Sequence, residues 1–448
     1  MQDLIAKYNV PGPRYTSYPT VPFWEDIDFS TQNWISSLQQ QDSKALSLYI
    51  HLPFCESLCT FCACNKRITK RHDVEKPYIE AVLKEWQMYL EILDETPVLK
   101  EIHLGGGTPT FFSAENLENL IKSILDTVEV TDEIEFSFEG HPNNTSRAHL
   151  ETLYDLGFSR VSYGIQDYNP KVQIAIHRIQ SFEAVEHATK LAREIGYKSV
   201  GHDIIFGLPM QSLEDVINTI EKTKLLMPDR IAFYSYAHVP WTKGNGQRGF
   251  NESDLPSPEL KRQQYETGKK MLEEIGYIEI GMDHFALPKD DLSKAYHTNT
   301  LHRNFMGYTT TQTQTMIGLG VSAISDSWLA FAQNEKKLDD YYKKINRNEL
   351  PIFRGHLLNN EDLIIRKQIL NLMCNFETKW NKKEEAIIDF NSIINNLSEF
   401  EADQLLTIHQ NSVEVSQKGK AFIRNICMAF DLRLKRAQPD QQLFSMTI

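Results

Sequence analysis

The sequence predicts an α/β protein whose strands form a parallel sheet, rolled open or closed into a barrel. Three observations support this fold class. Short apolar runs alternate six times with helical patterns between about residues 46 and 236, and such alternation is typical of parallel sheets. Glycines and polar side chains recur where the strands are predicted to end, which is where parallel barrels place their chemistry. The 448 residues suffice for a large barrel plus one smaller domain.

The predicted strands are short apolar runs at 46–54, 98–104, 134–139, 160–166, 199–205 and 231–236. The predicted helices lie between them, at about 73–90, 113–127, 150–154, 181–195, from 212 onward and at 257–274. In the first helix, apolar residues recur every three or four positions and Asp73 is the predicted N-cap. Ser212 with Asp215 predicts a capping box.

The chain divides into three predicted parts. Residues 1–40 form an extended segment, because the stretch 12–20 contains a glycine and two prolines. Residues 41–350 form the α/β domain that carries the site. Residues 351–448 form a small, mainly helical domain, with one short strand predicted at 413–415.

Four of the six cysteines lie on one loop directly after the first predicted strand. Cys55, Cys59 and Cys62 follow a CxxxCxxC spacing, and Cys64 comes two residues later. Thiolates bind both zinc and iron–sulfur clusters, so the spacing alone leaves both open. A cysteine trio on a [4Fe–4S] cluster leaves one iron free, as binding and cleavage of S-adenosylmethionine (SAM) require. Cys374 and Cys427 are interpreted as buried apolar residues.

Polar groups at the later strand ends match the functional groups of SAM. Arg178 suits its carboxylate, because a guanidinium binds a carboxylate through two hydrogen bonds. Glu139, Gln166 and Asp203 suit its ammonium and ribose diol, and the glycines at 105–107 allow close approach of the backbone. Each residue alone is more often an ordinary surface side chain, but their joint occurrence favours a binding site.

Composition excludes several classes of function. The net charge of −13 argues against nucleic acid as a partner. We expect no transmembrane helix and no signal peptide, since no run of 18 apolar residues exists and the first residues lack a basic and apolar leader. Thiols clustered on one loop then indicate a cytoplasmic protein that binds a metal rather than forming disulfides.

These residues resemble the oxygen-independent coproporphyrinogen III oxidases (coproporphyrinogen dehydrogenases), a family of radical SAM enzymes. The stretches that carry the resemblance run along most of the chain. They are GPRYTSYPT at 12–20, LYIHLPFCESLCTFCACNK at 48–66, HLGGGTPT at 103–110, YGIQDYN at 163–169, IIFGLP at 204–209, YAHVP at 236–240, GMDHFA at 281–286, HRNFMGYTT at 302–310, GLGVSAIS at 318–325 and IRNICMAFD at 423–431.

The resemblance implies a (β/α)6-type partial TIM barrel and a [4Fe–4S] cluster bound by Cys55, Cys59 and Cys62, with Cys64 not a ligand. It also implies two SAM molecules and no catalytic residue beyond the cluster and the SAM site. The matching SAM-contact positions are Tyr49, Phe61, Gly106, Gly107, Thr108, Glu139, Gln166, Arg178, Asp203, Ala237 and Ile324. One departure follows Glu139, where Gly140-His141 stands in place of the expected aliphatic–aspartate pair.

The implied reaction converts two propionates of coproporphyrinogen III to vinyl groups, giving protoporphyrinogen IX, through a 5′-deoxyadenosyl radical derived from SAM. Arg14 and Arg303 are the hypothesised anchors for the substrate carboxylates, and hydrogen bonding to backbone is the alternative. The basic run of Lys66, Arg67, Lys70 and Arg71 is either a solvated face or a docking patch for an acidic electron donor such as flavodoxin. We expect a monomer.

Three rival functions remain open at this point. The first is a haem-binding chaperone of the same superfamily, against which the GPRYTSYPT stretch and the CAC ending of the cysteine loop argue. The second is another radical SAM porphyrin enzyme, such as an anaerobic haem-degrading methyltransferase. The third is a scaffold stabilised by zinc.

Overall fold

The barrel strands alternate with helices as the sequence predicts. The structure is a computed structural model that describes residues 2–24, 29–240, 247, 249–437 and 442–447. The six barrel strands are β1 (Ala45–Leu52), β2 (Val98–Gly106), β3 (Glu129–Gly140), β4 (Phe158–Gln166), β5 (Ser199–Phe206) and β6 (Arg230–Ser235). Each strand pairs in parallel with the next one along the chain. Their carboxyl ends therefore meet at one edge of the sheet.

The sheet is wider than the six predicted strands. Thr315–Leu319 pairs in parallel with β1 on its outer side. Three antiparallel strands continue the sheet beyond it, at Ile324–Asp326, Ala330–Asn334 and Ile352–Leu357. At the other edge, His284–Ala286 pairs antiparallel with β6 and Ile278–Gly281 follows. The order of the described strands is linear, with β1 and β6 not neighbours, so the barrel is partial.

The helices that cover the sheet begin at serine caps in most cases. The barrel helices are Glu75–Ile92, Ala114–Leu125, Arg147–Asp155, Pro170–Ala175, Phe182–Ile195, Leu213–Leu226 and Pro258–Glu274. The Ser212–Asp215 capping box is confirmed. The prediction for Asp73 was wrong: a 3-10 turn at His72–Val74 precedes the helix, and Asp73 pairs with Arg71 instead.

The main core lies between the sheet and these helices. Side chains such as Leu48, Ile102, Phe136 and Val161 on the strands pack with Trp86 and other helix residues in one buried cluster. Burial of this apolar surface is the main force that holds the strands in register. No helix among the described residues is long and apolar enough to cross a bilayer.

The C-terminal region has its own core. Its helices are Asn360–Asn375, Lys382–Glu385, Phe390–Ala402, Ile423–Phe430 and Leu432–Ala437. A three-stranded antiparallel sheet joins Glu377–Lys379, Ser412–Val415 and Leu406–Ile408, so the strand predicted at 413–415 is confirmed. The N-terminal helix Gln2–Tyr8 packs on this region, where the ring of Tyr8 stacks on Phe400 with centroids 4.8 Å apart.

The remaining elements are short. The helices are Thr31–Gln39, Asp291–His297 and Leu338–Asn346. Two pairs of strands form, Phe54–Cys55 with Arg67–Ile68 and His302–Asn304 with Gly307–Thr309, and 3-10 turns lie at Val21–Phe23, Pro109–Phe111, Glu252–Asp254 and Gly419–Phe422. Residues 9–20, with the proline-containing stretch, contain no helix, but the extended segment predicted for residues 1–40 was wrong at its ends, where the helices Gln2–Tyr8 and Thr31–Gln39 form.

Candidate active site

A cleft lies at the carboxyl ends of the barrel strands. Eleven of the predicted cluster and SAM residues line it, namely Cys55, Cys59, Phe61, Cys62, Gly106, Gly107, Thr108, Glu139, Gln166, Arg178 and Asp203. These residues come from loops and strand ends up to 148 positions apart in the sequence. The parallel sheet brings them together because every barrel strand ends at the same edge.

Backbone hydrogen bonds fix the cysteine loop on both of its sides. The N–H of Thr60 donates to the carbonyl of Ile176 at 3.0 Å, and its hydroxyl donates to the carbonyl of Ala175 at 2.9 Å. At the start of the loop, the N–H of Thr69 donates to the carbonyl of Cys55 at 2.9 Å. The loop is therefore attached to the end of the helix Pro170–Ala175 and to the returning chain.

Two glycines allow the end of β2 to approach this loop. A Cβ on Gly107 would lie 2.6 Å from the carbonyl carbon and oxygen of Pro53, closer than any real Cβ contact. Gly106 has φ +114°, a left-handed conformation that favours glycine, and lies against the ring of His51. The N–H groups of Gly107 and Thr108 then donate to the carbonyls of Leu52 and Phe54 at 2.8 and 3.0 Å.

Donors and positive charges surround the three thiols. The hydroxyl of Thr108 donates to Sγ of Cys55 at 3.3 Å, and Nη1 of Arg178 lies 3.8 Å from Sγ of Cys59. A hydrogen bond from the Cys64 thiol, with help from the charge of Lys66, lowers the pKa of Cys62 to about 6. Burial raises the pKa of Cys55 to about 11.

The donor set fits an iron–sulfur cluster. All four cysteines of the loop are free thiols, and all four line the cleft. Among the described residues, no three Cys, His, Asp or Glu side chains converge tightly enough to hold a single metal ion. In a cubane, each cysteine binds a separate iron, so its ligands stand at different corners rather than around one point.

Acidic and amide groups form the opposite wall of the cleft. Glu139 lies 3.5 Å from Nε2 of His103, and Asp203 accepts a hydrogen bond from the hydroxyl of Ser162 at 3.0 Å. Burial and the nearby charge of Glu139 raise the pKa of Asp203 to about 7. Gln166 has φ +67°, and its buried Oε1 has no hydrogen-bond partner among the described residues. A ligand with a donor group would satisfy this oxygen.

Arg178 joins the two walls. Its Nη2 donates to the carbonyl of Gly164 at 2.8 Å, while its buried Nε has no partner among the residues that the structure describes. The guanidinium makes no ion pair within the described chain, so its charge is available to an anionic ligand.

The structure places three other predicted SAM positions outside the lining of this cleft. The hydroxyl of Tyr49 lies 3.0 Å from Nδ1 of His51, and its ring stacks on His103 at a centroid distance of 6.1 Å. Ala237 follows β6, and its carbonyl accepts from Nε2 of Gln247 at 2.9 Å. Ile324 begins the strand Ile324–Asp326.

Both predicted substrate anchors lie apart from the cofactor cleft. Arg14 donates from Nη1 to Asp283 at 3.2 Å and from Nη2 to the carbonyl of Ser235 at 3.1 Å. Arg303 is only 7% exposed, with its guanidinium 4.5 Å from the centre of the Tyr308 ring. Its Nε and Nη1 are buried without a partner in the described part of the chain.

Several lining residues were missed by the sequence analysis. Ile205 and Tyr234 line the cleft from β5 and β6, one residue before each strand ends. His141 also lines it, and its Nδ1 accepts from the N–H of Asn143 at 3.1 Å. Burial and the charge of Arg178 lower the pKa of His141 to about 3, so the ring is neutral. The departure at Gly140-His141 was the one sequence signal for this position.

Comparison with known proteins defines the class first. A family model for the radical SAM superfamily matches residues 49–223, which include the cysteine loop and most of the polar wall. Radical SAM enzymes use SAM and a [4Fe–4S] cluster, the cofactors that the cleft's thiols and polar groups fit.

Full-length relatives define the family. The chain is 38% identical to the oxygen-independent coproporphyrinogen III oxidase of Helicobacter pylori strain J99, covering 96% of each protein. It is 37% identical to the enzyme of that name from Pseudomonas aeruginosa, covering 100% of this chain and 98% of the relative. The solved coproporphyrinogen III oxidase of Escherichia coli, a radical SAM enzyme, superimposes with a TM-score of 0.91 at 35% identity, covering 97% of this chain and 99% of that one. The chain belongs to the oxygen-independent coproporphyrinogen III oxidase family.

Proposed function

We propose that this protein converts two propionates of coproporphyrinogen III to vinyl groups without oxygen, giving protoporphyrinogen IX for haem biosynthesis. The observation that carries the proposal is full-length membership of the oxidase family, combined with one cleft that gathers the cysteine trio and the polar wall. The relatives are oxidases over their whole length, which favours this reaction over the haem-chaperone, haem-degrading and zinc-scaffold alternatives.

Cys55, Cys59 and Cys62 hold the cluster in this proposal. Thr108 and Arg178 contact the sulfurs of Cys55 and Cys59 and so help to position these two thiols. When bound, the reduced cluster and SAM supply a radical that removes a hydrogen atom from the β-carbon of a propionate. The protein positions these groups and keeps out water and oxygen.

The cleft and its surroundings would hold two SAM molecules. Arg178 pairs with a carboxylate, while Glu139, Gln166 and Asp203 face ammonium and hydroxyl groups. Phe61 packs against the buried cluster that includes Val172 and Ile176, and so presents an apolar surface next to Cys62. The other contacts come from Gly106, Gly107, Thr108 and, at the margins, Tyr49, Ala237 and Ile324.

Arg14 and Arg303 supply positive charge for the substrate carboxylates. Arg14 lies in the N-terminal stretch 12–20, which crosses the carboxyl end of β6 where it contacts Ser235. Arg303 is buried beside it, with Nη2 3.4 Å from the carbonyl of Arg14, and contributes charge rather than an exposed contact. Affinity for substrate should fall in Arg14→Ala and Arg303→Ala.

The electron donor docks near the cysteine loop through basic side chains. Lys66 is partly committed to the carbonyls of Cys62 and Cys64, and Arg71 pairs with Asp73. Arg67 and Lys70 therefore carry most of the attraction for an acidic donor such as flavodoxin. The rate of reduction should fall with ionic strength, and an unchanged rate would contradict this docking.

The protein acts in the cytoplasm as a monomer.

Anaerobic turnover tests the proposed function. The purified, oxygen-protected protein is given coproporphyrinogen III, SAM and a chemical reductant, and protoporphyrinogen IX and methionine are measured. Cys55→Ser should abolish both products, while Cys374→Ser, a buried thiol outside the loop, should retain them. No vinyl product from the wild-type protein with a full complement of iron and sulfide would refute the proposal.

A further inference from the structure

A second cavity lies between the barrel, the N-terminal segment and the C-terminal region. It begins at Phe206 and Ser235, the last residues of β5 and β6, and its lining is rich in basic side chains. The basic residues that line it are Arg14, Lys261, Arg262, Lys420 and Arg424. The acidic residues that line it are Glu279 and Asp283.

Much of this positive charge has no acidic partner. Glu279 is bound by Lys269 at 2.5 Å and Tyr265 at 2.7 Å, and Arg262 pairs with Glu266. Asp283 is the remaining acidic side chain of the lining, and it forms an ion pair with Arg14.

The remaining cations have neutral partners. Nζ of Lys261 donates to the carbonyl of Tyr236 at 3.0 Å, and Arg424 donates to the carbonyls of Pro13 and Met446 at 3.0 and 2.9 Å. Lys420 donates to the hydroxyl of Tyr296 at 3.0 Å. Lys261 keeps two N–H groups beyond its bond to Tyr236 and lies beside Arg14 in the lining, so it can take up a further acceptor there.

Buried positive charge in excess is unfavourable unless an anion joins it. This cost is reflected in the pKa values of the cations. Burial, together with the charges of Arg14 and Arg424, lowers the pKa of Lys261 to about 8. Burial and Arg14 likewise lower the pKa of Arg424 to about 9. The charges that line the cavity therefore favour binding of a negatively charged ligand.

We propose that this cavity binds a propionate carboxylate of the porphyrinogen that is not the one reacting, with Lys261 and Arg14 as its direct anchors. The inference rests on the proposed function and adds Lys261 as a substrate-positioning residue. Adjacent residues of the same strands face the two cavities: Ile205 and Tyr234 line the cofactor cleft, while Phe206 and Ser235 line the cationic cavity. Successive residues of a strand face opposite sides of the sheet, so a macrocycle that reaches both cavities would pass over the carboxyl edge of β5 and β6.

Binding of a stable porphyrin tests the anchor without turnover. Coproporphyrin III, the oxidised form of the substrate, and its uncharged tetramethyl ester are titrated into the cluster-loaded protein by fluorescence. Lys261→Gln should weaken coproporphyrin III binding about tenfold or more, as expected for loss of a charge-assisted hydrogen bond. Lys261→Arg should restore most of it. Lys270→Gln, an exposed position on the same helix, is the matched control and should bind like wild type.

Two further readouts separate anchoring from a structural role. Ester binding should be the same in all four proteins, and wild-type binding of coproporphyrin III should weaken with added salt while ester binding does not. Equal affinities of wild type and Lys261→Gln for coproporphyrin III, or equal losses for acid and ester, would overturn the inference. Failure of the wild-type protein to form protoporphyrinogen IX would instead refute the proposed function, which is measured separately.

Discussion

The contact between Gly107 and the carbonyl of Pro53 gives a sharp test of how the cysteine loop is positioned. In Gly107→Ala, the new Cβ would lie 2.6 Å from the Pro53 carbonyl and 2.9 Å from the Phe54 carbonyl. Ordinary contacts begin at 3.4 Å, so the backbone must move by about 0.8 Å. Because Phe54 directly precedes Cys55, this movement displaces the first thiol.

The expected loss follows from that displacement. Misplacement of a reacting group by about 1 Å typically costs about 100-fold in rate, and overpacking costs about 1–3 kcal/mol of stability. We therefore expect Gly107→Ala to form protoporphyrinogen IX about 100-fold more slowly than wild type at saturating SAM. Product formation is measured anaerobically, with iron content and the thermal midpoint determined on the same samples.

A matched substitution isolates the position of the clash. The Cβ of Gly201→Ala, on β5, would meet the Ser162 side chain at 3.1 Å and no backbone atom closer than 3.6 Å. We expect it to lose much less activity than Gly107→Ala, because the Ser162 side chain, which donates to Asp203, adjusts more easily than backbone. Gly107→Ala activity within about threefold of wild type, at equal iron content, would refute the reasoning.

Three other predictions follow from the same structure. Glu85→Ala removes the buried acceptor of the Gly320 N–H, the Asn334 amide and the Tyr341 hydroxyl. The free energy of unfolding measured in urea should therefore fall by about 3 kcal/mol or more. A decrease below about 1 kcal/mol would contradict this network. Lys261 is charged below its lowered pKa of about 8 and loses its charge as the pH rises through that value, so binding of coproporphyrin III should weaken between pH 7 and pH 9 more in wild type than in Lys261→Arg. Cys59→Ser should reduce iron and sulfide content, whereas Cys427→Ser, a buried thiol far from the loop, should leave both unchanged; retention of a full cluster in Cys59→Ser would exclude that thiol as a ligand.

The sequence predicted those parts of the fold that depend on local pattern. The barrel strands and most helices were recognised because apolar periodicity is a property of neighbouring residues. The strand Thr315–Leu319, which extends the sheet beside β1, lay in a stretch where the pattern of alternating strands and helices had ended. Its place in the sheet depends on a partner about 270 residues earlier, and periodicity carries no such information.

The threonine-rich run at 309–315 shows the same limit. Its composition predicted no element, yet the Thr309 hydroxyl donates to buried Glu101 at 2.7 Å and the Thr310 hydroxyl donates to Glu135 at 2.5 Å. Thr313 contacts Ser47 on β1 at 2.7 Å. These hydroxyls satisfy carboxylates inside the barrel, where an unpaired charge would be costly. A run of hydroxyl side chains has no periodicity that would reveal such distant partners.

The candidate site likewise contains residues that the sequence predicted and residues that only the fold identifies. The spacing of Cys55, Cys59 and Cys62 was informative because one short loop carries all three thiols. The pairing of Arg14 with Asp283, 269 residues apart, required the fold. Lys261 gave no sequence signal, since it reads as one exposed position of a charged helix; only the packing of that helix against the ends of β5 and β6 places it in the cavity lining.

The cofactor cleft and the cationic cavity are both lined by the ends of β5 and β6. This arrangement explains how one chain could hold a flexible macrocycle in a fixed position relative to its cofactors. Tyr234 lines the cofactor cleft and Ser235 lines the cationic cavity, so the two sites lie on either side of the carboxyl end of β6. Side chains on a strand within a sheet are held more rigidly than side chains on loops. A carboxylate anchored beside Ser235 would therefore place the rest of the ring at a fixed distance from the cleft. Binding in the cationic cavity, rather than closure of a loop, would then determine which propionate reaches the cofactors.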